Sequence, residues 1–370
     1  MITVGREDRV MTELGRSVAS SLLLLFALGP TAAPAASYEM QELAEGVWAM
    51  VRRVEPGDVS DSNVLIVVNE ADVVVVDSGI LPSSAREAVA EIRKLTPLPV
   101  STLINTHWHS DHHYGNQVYR EAYPEVEIVQ HSRTRELVIE RDVPSLRENL
   151  DEEYPQAIER LREALETGVR STGEAVTEEE RERFTRTLGV YEAFLEQMGS
   201  TPIVPGTFTV SDRFVLHRGE RAIEIRFLGR GNTPGDLVVH LPGEGIVATG
   251  DLVVHPIPFA FYSHLGEWPD TLRALRVLDA GTILPGHGEV MRDWSYVDRL
   301  VELLESTWRQ VEAAVTSGLD LEATRAAVDL DPFLASYGGE AARETFRYLY
   351  LDPAVEAAWS EQTSGEPRIE

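Results

Sequence analysis

Apolar and polar positions change their spacing several times along this chain. From residue 39 onward the apolar positions fall in short runs. The runs at 39–43, 47–51, 63–68 and 73–76 predict strands, and Gly46, Pro56-Gly57 and Asn69-Glu70 supply the turn residues between them. Ala85, Val89, Ile92 and Leu95 then recur at near-helical spacing, which predicts a helix over 83–95. A strand follows at 100–105, a helix at 114–121 and another strand at 126–130. Strands alternating with helices predict layered α/β architecture.

Residues 131–200 interrupt this rhythm. Ile158, Leu161 and Leu165 share one helical face, as do Phe184, Leu188, Tyr191, Leu195 and Met198. The Thr177-x-x-Glu180 pattern reads as a capping box for the second helix, and Gly173 falls in the connection. The expectation is a helical hairpin inserted between two halves of the fold. It serves as a structural cap or as a lid over a substrate pocket. Short apolar runs then resume at 213–216, 222–228, 237–240 and 245–248. A helix is expected over 271–278 and a strand over 282–284. A long helix should start after Asp293 and reach about residue 315. The segment to 350 reads as helical, and the tail from Ser360 as mobile.

The N-terminal stretch has a different character. Arg16 precedes the apolar core 17–28, and the small-residue stretch 31–37 follows Gly29-Pro30. A basic residue, a short apolar core and an Ala-Pro-Ala site at 33–35 read as a secretory signal peptide over 1–35. The core is short for a bilayer span. The expectation is an exported protein, periplasmic or secreted, with no stable membrane anchor after leader cleavage.

Composition narrows the function. The 370 residues are 43% hydrophobic, enough for one large domain with appendages. The formal net charge of −28 argues against a nucleic-acid surface. The expected partner is a small-molecule substrate; oligomeric state stays open. With no cysteine in the chain there is no disulfide framework, and any metal must be held by His, Asp, Glu or Asn.

The candidate chemistry sits in His107-Trp108-His109-Ser110-Asp111-His112, directly after the apolar run 100–105. On an extended strand His107, His109 and Asp111 would share one face, and His112 would point away unless the chain turned. Imidazole and carboxylate ligands suit borderline metals such as zinc, and four of them in one loop can serve two adjacent ions. Distant segments repeat the arrangement of a ligand type at the end of an apolar run. Asp77 follows 73–76, Asp251 follows 245–250, and His287 follows 282–286.

These ordered motifs make the chain similar to the metallo-β-lactamase-fold hydrolase superfamily, over roughly residues 40 to 300. The resemblance implies an α/β fold, a four-layer αββα sandwich with metals at one edge. Here that is a domain at 38–300 carrying the 131–200 insertion, followed by a C-terminal helical extension at 301–370. It also implies two metal positions. His107 and His109 would bind the first; Asp111, His112 and His287 would bind the second, with Asp251 bridging both or favouring the second. The segment 229–236 departs from the family's Gly-His-Thr pattern, because Asn232 stands where a third histidine of the first site belongs. An amide oxygen is a weaker zinc ligand, so Asn232 marks a weak or vacant place. The expectation is one tight zinc at the second position and a weaker one at the first, with iron and manganese as open alternatives.

The function that follows is an exported metal-dependent hydrolase. Metal-bound hydroxide would attack a small carbonyl substrate: an ester, thioester, lactone or β-lactam. Asp111 or Asp251 would orient the water and shuttle its proton. Tyr262, in the aromatic loop after Asp251, would bind substrate, and Asp77 would fix the loop by hydrogen bonds. Two alternatives stand beside this reading. One is a metal-dependent redox enzyme of the same fold; the other is a catalytically weakened binding or accessory protein. His113, His131, His217, His240, His255 and His264 are expected outside the ligand set.

Overall fold

The computed structural model describes residues 38–53 and 61–367. The expected signal peptide therefore lies outside the described residues. Seven strands form the first sheet in sequence order: β1 (Tyr38–Ala44), β2 (Val47–Arg52), β3 (Val64–Val68), β4 (Val73–Val76), β5 (Val100–Ile104), β6 (Glu127–His131) and β7 (Phe208–Val210). The first four pair antiparallel; β4 to β7 run parallel. The second sheet is ordered β12-β11-β10-β9-β8, from β8 (Arg213–Arg218), β9 (Arg221–Phe227), β10 (Leu237–Leu241), β11 (Ile246–Ala248) and β12 (Thr282–Leu284). Strand β11 pairs parallel with β12.

The twofold alternation of strand side chains sorts the valine-rich runs onto two buried faces. Val47, Leu65, Val74 and Val76 meet Ile223, Leu237, Val239 and Ile246 of the second sheet in the inter-sheet core. Their neighbours Met50, Val64, Ile66, Val73 and Val75 pack outward on the helix Pro82–Leu95 through Ala85, Ala88, Val89 and Ile92. On the far side Val238, Val247 and Ile283 pack beneath Leu272, Leu275, Leu300 and Leu304 of the helices Trp268–Arg276 and Ser295–Thr316. The result is a four-layer αββα sandwich with C-terminal helices added to the outer layer.

Three features differ from expectation. Strand β7 was not predicted, because only three residues pair and Phe208 is exposed, so periodicity is too short to read. The region 131–200 holds more helix than a hairpin. A helical run passes through Ser132–Leu137, Val143–Glu148 and Tyr154–Thr167, with π turns Val138–Asp142 and Asn149–Glu153 between them, before the helix Glu178–Met198. Thr177 and Glu180 do close a capping box there. The expected mobile tail is corrected: the helix Asp352–Ser364 runs past Ser360, and Glu361 accepts hydrogen bonds from the Leu265 and Gly266 amides. A polar composition hid that docking, since the partner amides lie about a hundred residues upstream.

Candidate metal centre

Each ligand-type residue emerges from a strand end at one edge of the sandwich. Strand β4 delivers Asp77, β5 delivers the His107–His112 loop, β11 delivers Asp251 on the turn Gly250–Leu252, and β12 delivers His287. The loop turns where the extended reading left a choice. Ser110–His113 forms one helical turn with His109 at its N-cap, so His112 swings to the same side as its neighbours.

Two clusters result. One ligand atom from each of His107, His109 and Asp251 lies within 4.8 Å of the others, and the same holds for Asp111, His112 and His287. Asp251 reaches both. Its Oδ2 is 3.7 Å from His107 Nε2, and its Oδ1 is 3.3 Å from His112 Nε2 and 3.4 Å from His287 Nε2. This close packing needs Gly286, because a Cβ there would lie 2.0 Å from Asp251 Oδ1.

The donor set passes a direct test for a cation. In the second cluster His287 Nε2 lies 3.0 Å and His112 Nε2 3.6 Å from Asp111 Oδ2. Tetrahedral ligands about 2.0–2.1 Å from zinc stand about 3.3–3.4 Å apart, in the middle of the observed spread. In the first cluster His107 Nε2 and His109 Nδ1 are 2.9 Å apart. His112 Nε2 and Asp251 Oδ1 face each other at 3.3 Å without closing a well-aligned hydrogen bond. Buried polar atoms are rarely left so, and a cation would satisfy both.

The surrounding polar groups fix these rings. Asp77 Oδ2 lies 2.8 Å from His112 Nδ1, and Asp77 also accepts from the Thr106 amide at 2.8 Å and the Thr106 hydroxyl at 2.9 Å. A carboxylate on Nδ1 holds the imidazole with Nε2 toward the cluster. Asn105 Nδ2 donates to the His112 carbonyl, and the Ser62 hydroxyl to the Asp111 carbonyl. Asn63 bridges the sheets by donating to the Pro285 and Gly288 carbonyls. Sequence reading missed Asn63, Asn105 and Thr106. Thr106 adjoins the motif and could have been considered; Asn63 acts across more than 220 residues and leaves no local signal.

The clusters differ in proton preference. Burial, then the neighbouring imidazoles, hold His107 well below an ordinary histidine, and burial brings His109 down to about 4. Burial acts the same way on His112 and His287, but carboxylates outweigh it. Asp111, Asp77 and Asp251 hold His112 well above the ordinary value, and Asp251 and Asp111 raise His287. Burial would push Asp111 up; His112 and His287 overcome it and hold it below the usual carboxylate range.

Asn232 is buried, and its amide nitrogen donates to the Phe259 carbonyl at 2.6 Å. Its Oδ1 has no protein partner. Phe259 in turn meets the His109 ring at 5.5 Å between centroids. Tyr262 takes a left-handed backbone, φ 63°, and packs against Trp108 at 5.9 Å. His113 is buried between the Trp108 carbonyl and Asp142. The His255 ring packs on Tyr296, His264 approaches Glu366, and His131 stacks on Phe227. His240 lies 3.7 Å from Glu224.

A family model described as the metallo-beta-lactamase superfamily matches residues 57–287. A linear primary-alkylsulfatase from Pseudomonas sp. (strain ATCC 19151) is 22% identical over 276 residues, covering 71% of this chain and 49% of that protein. The chain thus spans about half the length of that curated relative. Among solved structures, a metallo-beta-lactamase from Pontibacter korlensis superposes with a TM-score of 0.50 at 20% identity, covering 72% of this chain and 99% of that one. A DIM-1 metallo-beta-lactamase exposed to ceftazidime gives 0.50 at 17% identity, covering 74% and 99%. At these identities the structural matches speak for the fold alone.

Proposed function

The chain belongs to the metallo-beta-lactamase superfamily, and we propose that it is an exported, zinc-dependent hydrolase of a small ester-type substrate. The observation that carries this reading is the pair of clusters joined by Asp251, with His112 Nε2 and Asp251 Oδ1 buried 3.3 Å apart and no well-aligned hydrogen bond made by either. Asp111, His112, His287 and Asp251 would hold one ion. His107, His109 and Asp251 would hold a weaker one, with Asn232 Oδ1 as a poor third neutral ligand. The chemistry a divalent ion held there would supply is a water acidic enough to attack near neutral pH and polarisation of the bond under attack.

The residues then divide the work. Asp111 or Asp251 would orient the attacking water and take up its proton. The hydroxyl goes to the acyl centre, the ester bond breaks, and the proton passes to the leaving oxygen. Tyr262 donates a hydrogen bond to the developing oxyanion. Asp77 keeps His112 in one tautomer through the contact at Nδ1. Carboxylic esters, thioesters, lactones and β-lactams share this bond polarity. Sulfate esters join them through the alkylsulfatase relative.

Elemental analysis of purified protein, followed by chelation and a chromogenic panel of these esters, tests the reading. Retained zinc, turnover lost on chelation and turnover restored by zinc are expected. Turnover that survives complete metal removal would overturn it, and so would a protein that holds no metal.

A further inference from the structure

The insertion between β6 and β7 holds a cavity of about 150 Å³. One wall is the helix Val143–Glu148 with the π turn Asn149–Glu153, which supply Val143, Leu146 and Leu150. The other is the end of the helix Glu178–Met198 and the segment after it, which supply Met198 and Ile203. None of the clustered His and Asp residues of the metal centre lines this cavity. Val143 and Ile203 also pack against the cluster of Trp108, Leu137 and Val138. The cavity wall is thereby tied to the metal loop through Trp108, which stands between His107 and His109.

The lining has two characters. Leu146, Leu150 and Met198 are buried and form an apolar interior. An apolar cavity of roughly 150 Å³ takes one six-carbon ring such as benzene. The exposed lining residues, Arg147 and Ser200 among them, mark the opening. Among the described residues, neither the Arg147 guanidinium nor the Ser200 hydroxyl makes an ion pair or a hydrogen bond. Other arginines of the insertion are paired: Arg133 with Glu136, Arg162 with Glu192, and Arg170 with Glu174.

The charge at the opening selects the head group. Among the described residues that line the cavity none is acidic, so its one ionic side chain is the Arg147 cation. A guanidinium offers a planar pair of N–H donors that matches a carboxylate, and the Ser200 hydroxyl adds a third donor. A net charge of −28 repels anions at long range, so an anion must be held by this local contact.

We propose that this cavity is a second binding site, separate from the metal centre, for a small amphiphilic carboxylate. Its apolar body of about six carbons fills the space between Leu146, Leu150 and Met198, and its carboxylate meets Arg147 and Ser200 at the opening. The readout is binding, so it does not depend on the hydrolase reading.

The test titrates zinc-loaded protein with sodium benzoate, benzyl alcohol and benzylamine by calorimetry. About 0.15 M salt screens the long-range field of the acidic chain. Benzoate should bind with a Kd of about 1 mM, as a ligand of this size allows. Benzyl alcohol should bind about tenfold more weakly, because it lacks the charge-assisted contact, and benzylamine more weakly still. Arg147→Met keeps an apolar stem and removes the cation. It should weaken benzoate about tenfold, to the level of benzyl alcohol, whose own affinity should change less than about twofold. Ser200→Trp places a ring in the opening and should abolish binding of both ligands. Both positions are exposed, so zinc content and thermal unfolding should match those of the unmodified protein. Benzoate that bound no more tightly than benzyl alcohol, or less tightly than benzylamine, would overturn the anionic head group. Benzoate binding indifferent to both substitutions would place the carboxylate at the metal centre and overturn the site, as would the absence of saturable benzoate binding.

Discussion

The two ligand clusters use the same residue types and share Asp251, yet they hold protons in opposite ways. Burial keeps His107 and His109 neutral, helped at His107 by the imidazoles around it and opposed at His109 by Asp251 and Asp111. His112 is just as buried and His287 slightly less so, but they face Asp77, Asp111 and Asp251, which favour a proton on each ring. The first cluster is ready for a cation but poor in negative charge. The second is rich in negative charge but must first release protons. Ligand identity alone therefore does not rank two metal positions; the carboxylates around each ring do.

The largest effect should come from removing what the clusters share. Asp251→Ala takes a ligand from both, and zinc retention after dialysis should drop more than about 100-fold in affinity at each, beyond the loss typical of a supporting residue. A variant that kept even one tight zinc would show that the clusters do not depend on this bridge. Next come the single-cluster changes. His287→Ala should abolish the tight ion and His107→Ala only the weaker one, read as metal-to-protein ratio by elemental analysis. Stoichiometric tight metal in the His287 variant would refute the assignment.

Asp77→Asn should act more mildly and on one side. With its contact to His112 Nδ1 weakened, zinc affinity at the second cluster should fall about 10–100-fold. An equal loss at both clusters would mean that Asp77 acts through Thr106 on the whole loop. Asn232→His should tighten the first cluster about tenfold by supplying an imidazole. Two equally tight zincs in the unmodified protein, by calorimetric titration, would show that the amide already suffices.

The smallest effect is in protons. His112 and His287 have raised pKa values, so below those values zinc must displace a proton from each, and affinity at the second cluster should rise with pH through neutrality. His109, at about 4, and His107 are already neutral there, so the first cluster should be nearly flat above about pH 5. Calorimetry in buffers of different ionisation enthalpy counts the released protons. The same signs apply to folding without metal. The stability from His112 and His287 is present below about pH 6.5 and lost as pH rises through their folded values; that from His109 is lost as pH falls from about 6.5 toward 4.

Much of the fold was legible because strands such as β3, β4 and β10 carry apolar residues at nearly every position, a pattern that fits strands buried on both faces. The helix Pro82–Leu95 showed in its apolar spacing for the same reason. Strand β7 and the docking of Glu361 were not legible. Both depend on partners distant in sequence and leave no periodic trace of their own.

At the site, the sequence by itself determined the chemical inventory: imidazoles and carboxylates, no thiol, and an amide at Asn232. It also placed those residues at the ends of apolar runs, because a strand end is a local property of the chain. The family resemblance implied a bridging place for Asp251, and tertiary structure alone set its distances to both clusters and showed that Gly286 leaves room for its carboxylate. It also turned Asn232 Nδ2 to Phe259, and brought Tyr348 of the C-terminal extension onto the ring system around His109. The physical reason is that distances of 3–4 Å between atoms, and the burial that sets proton affinities, arise from how separate strand ends converge. No spacing along the chain encodes that convergence.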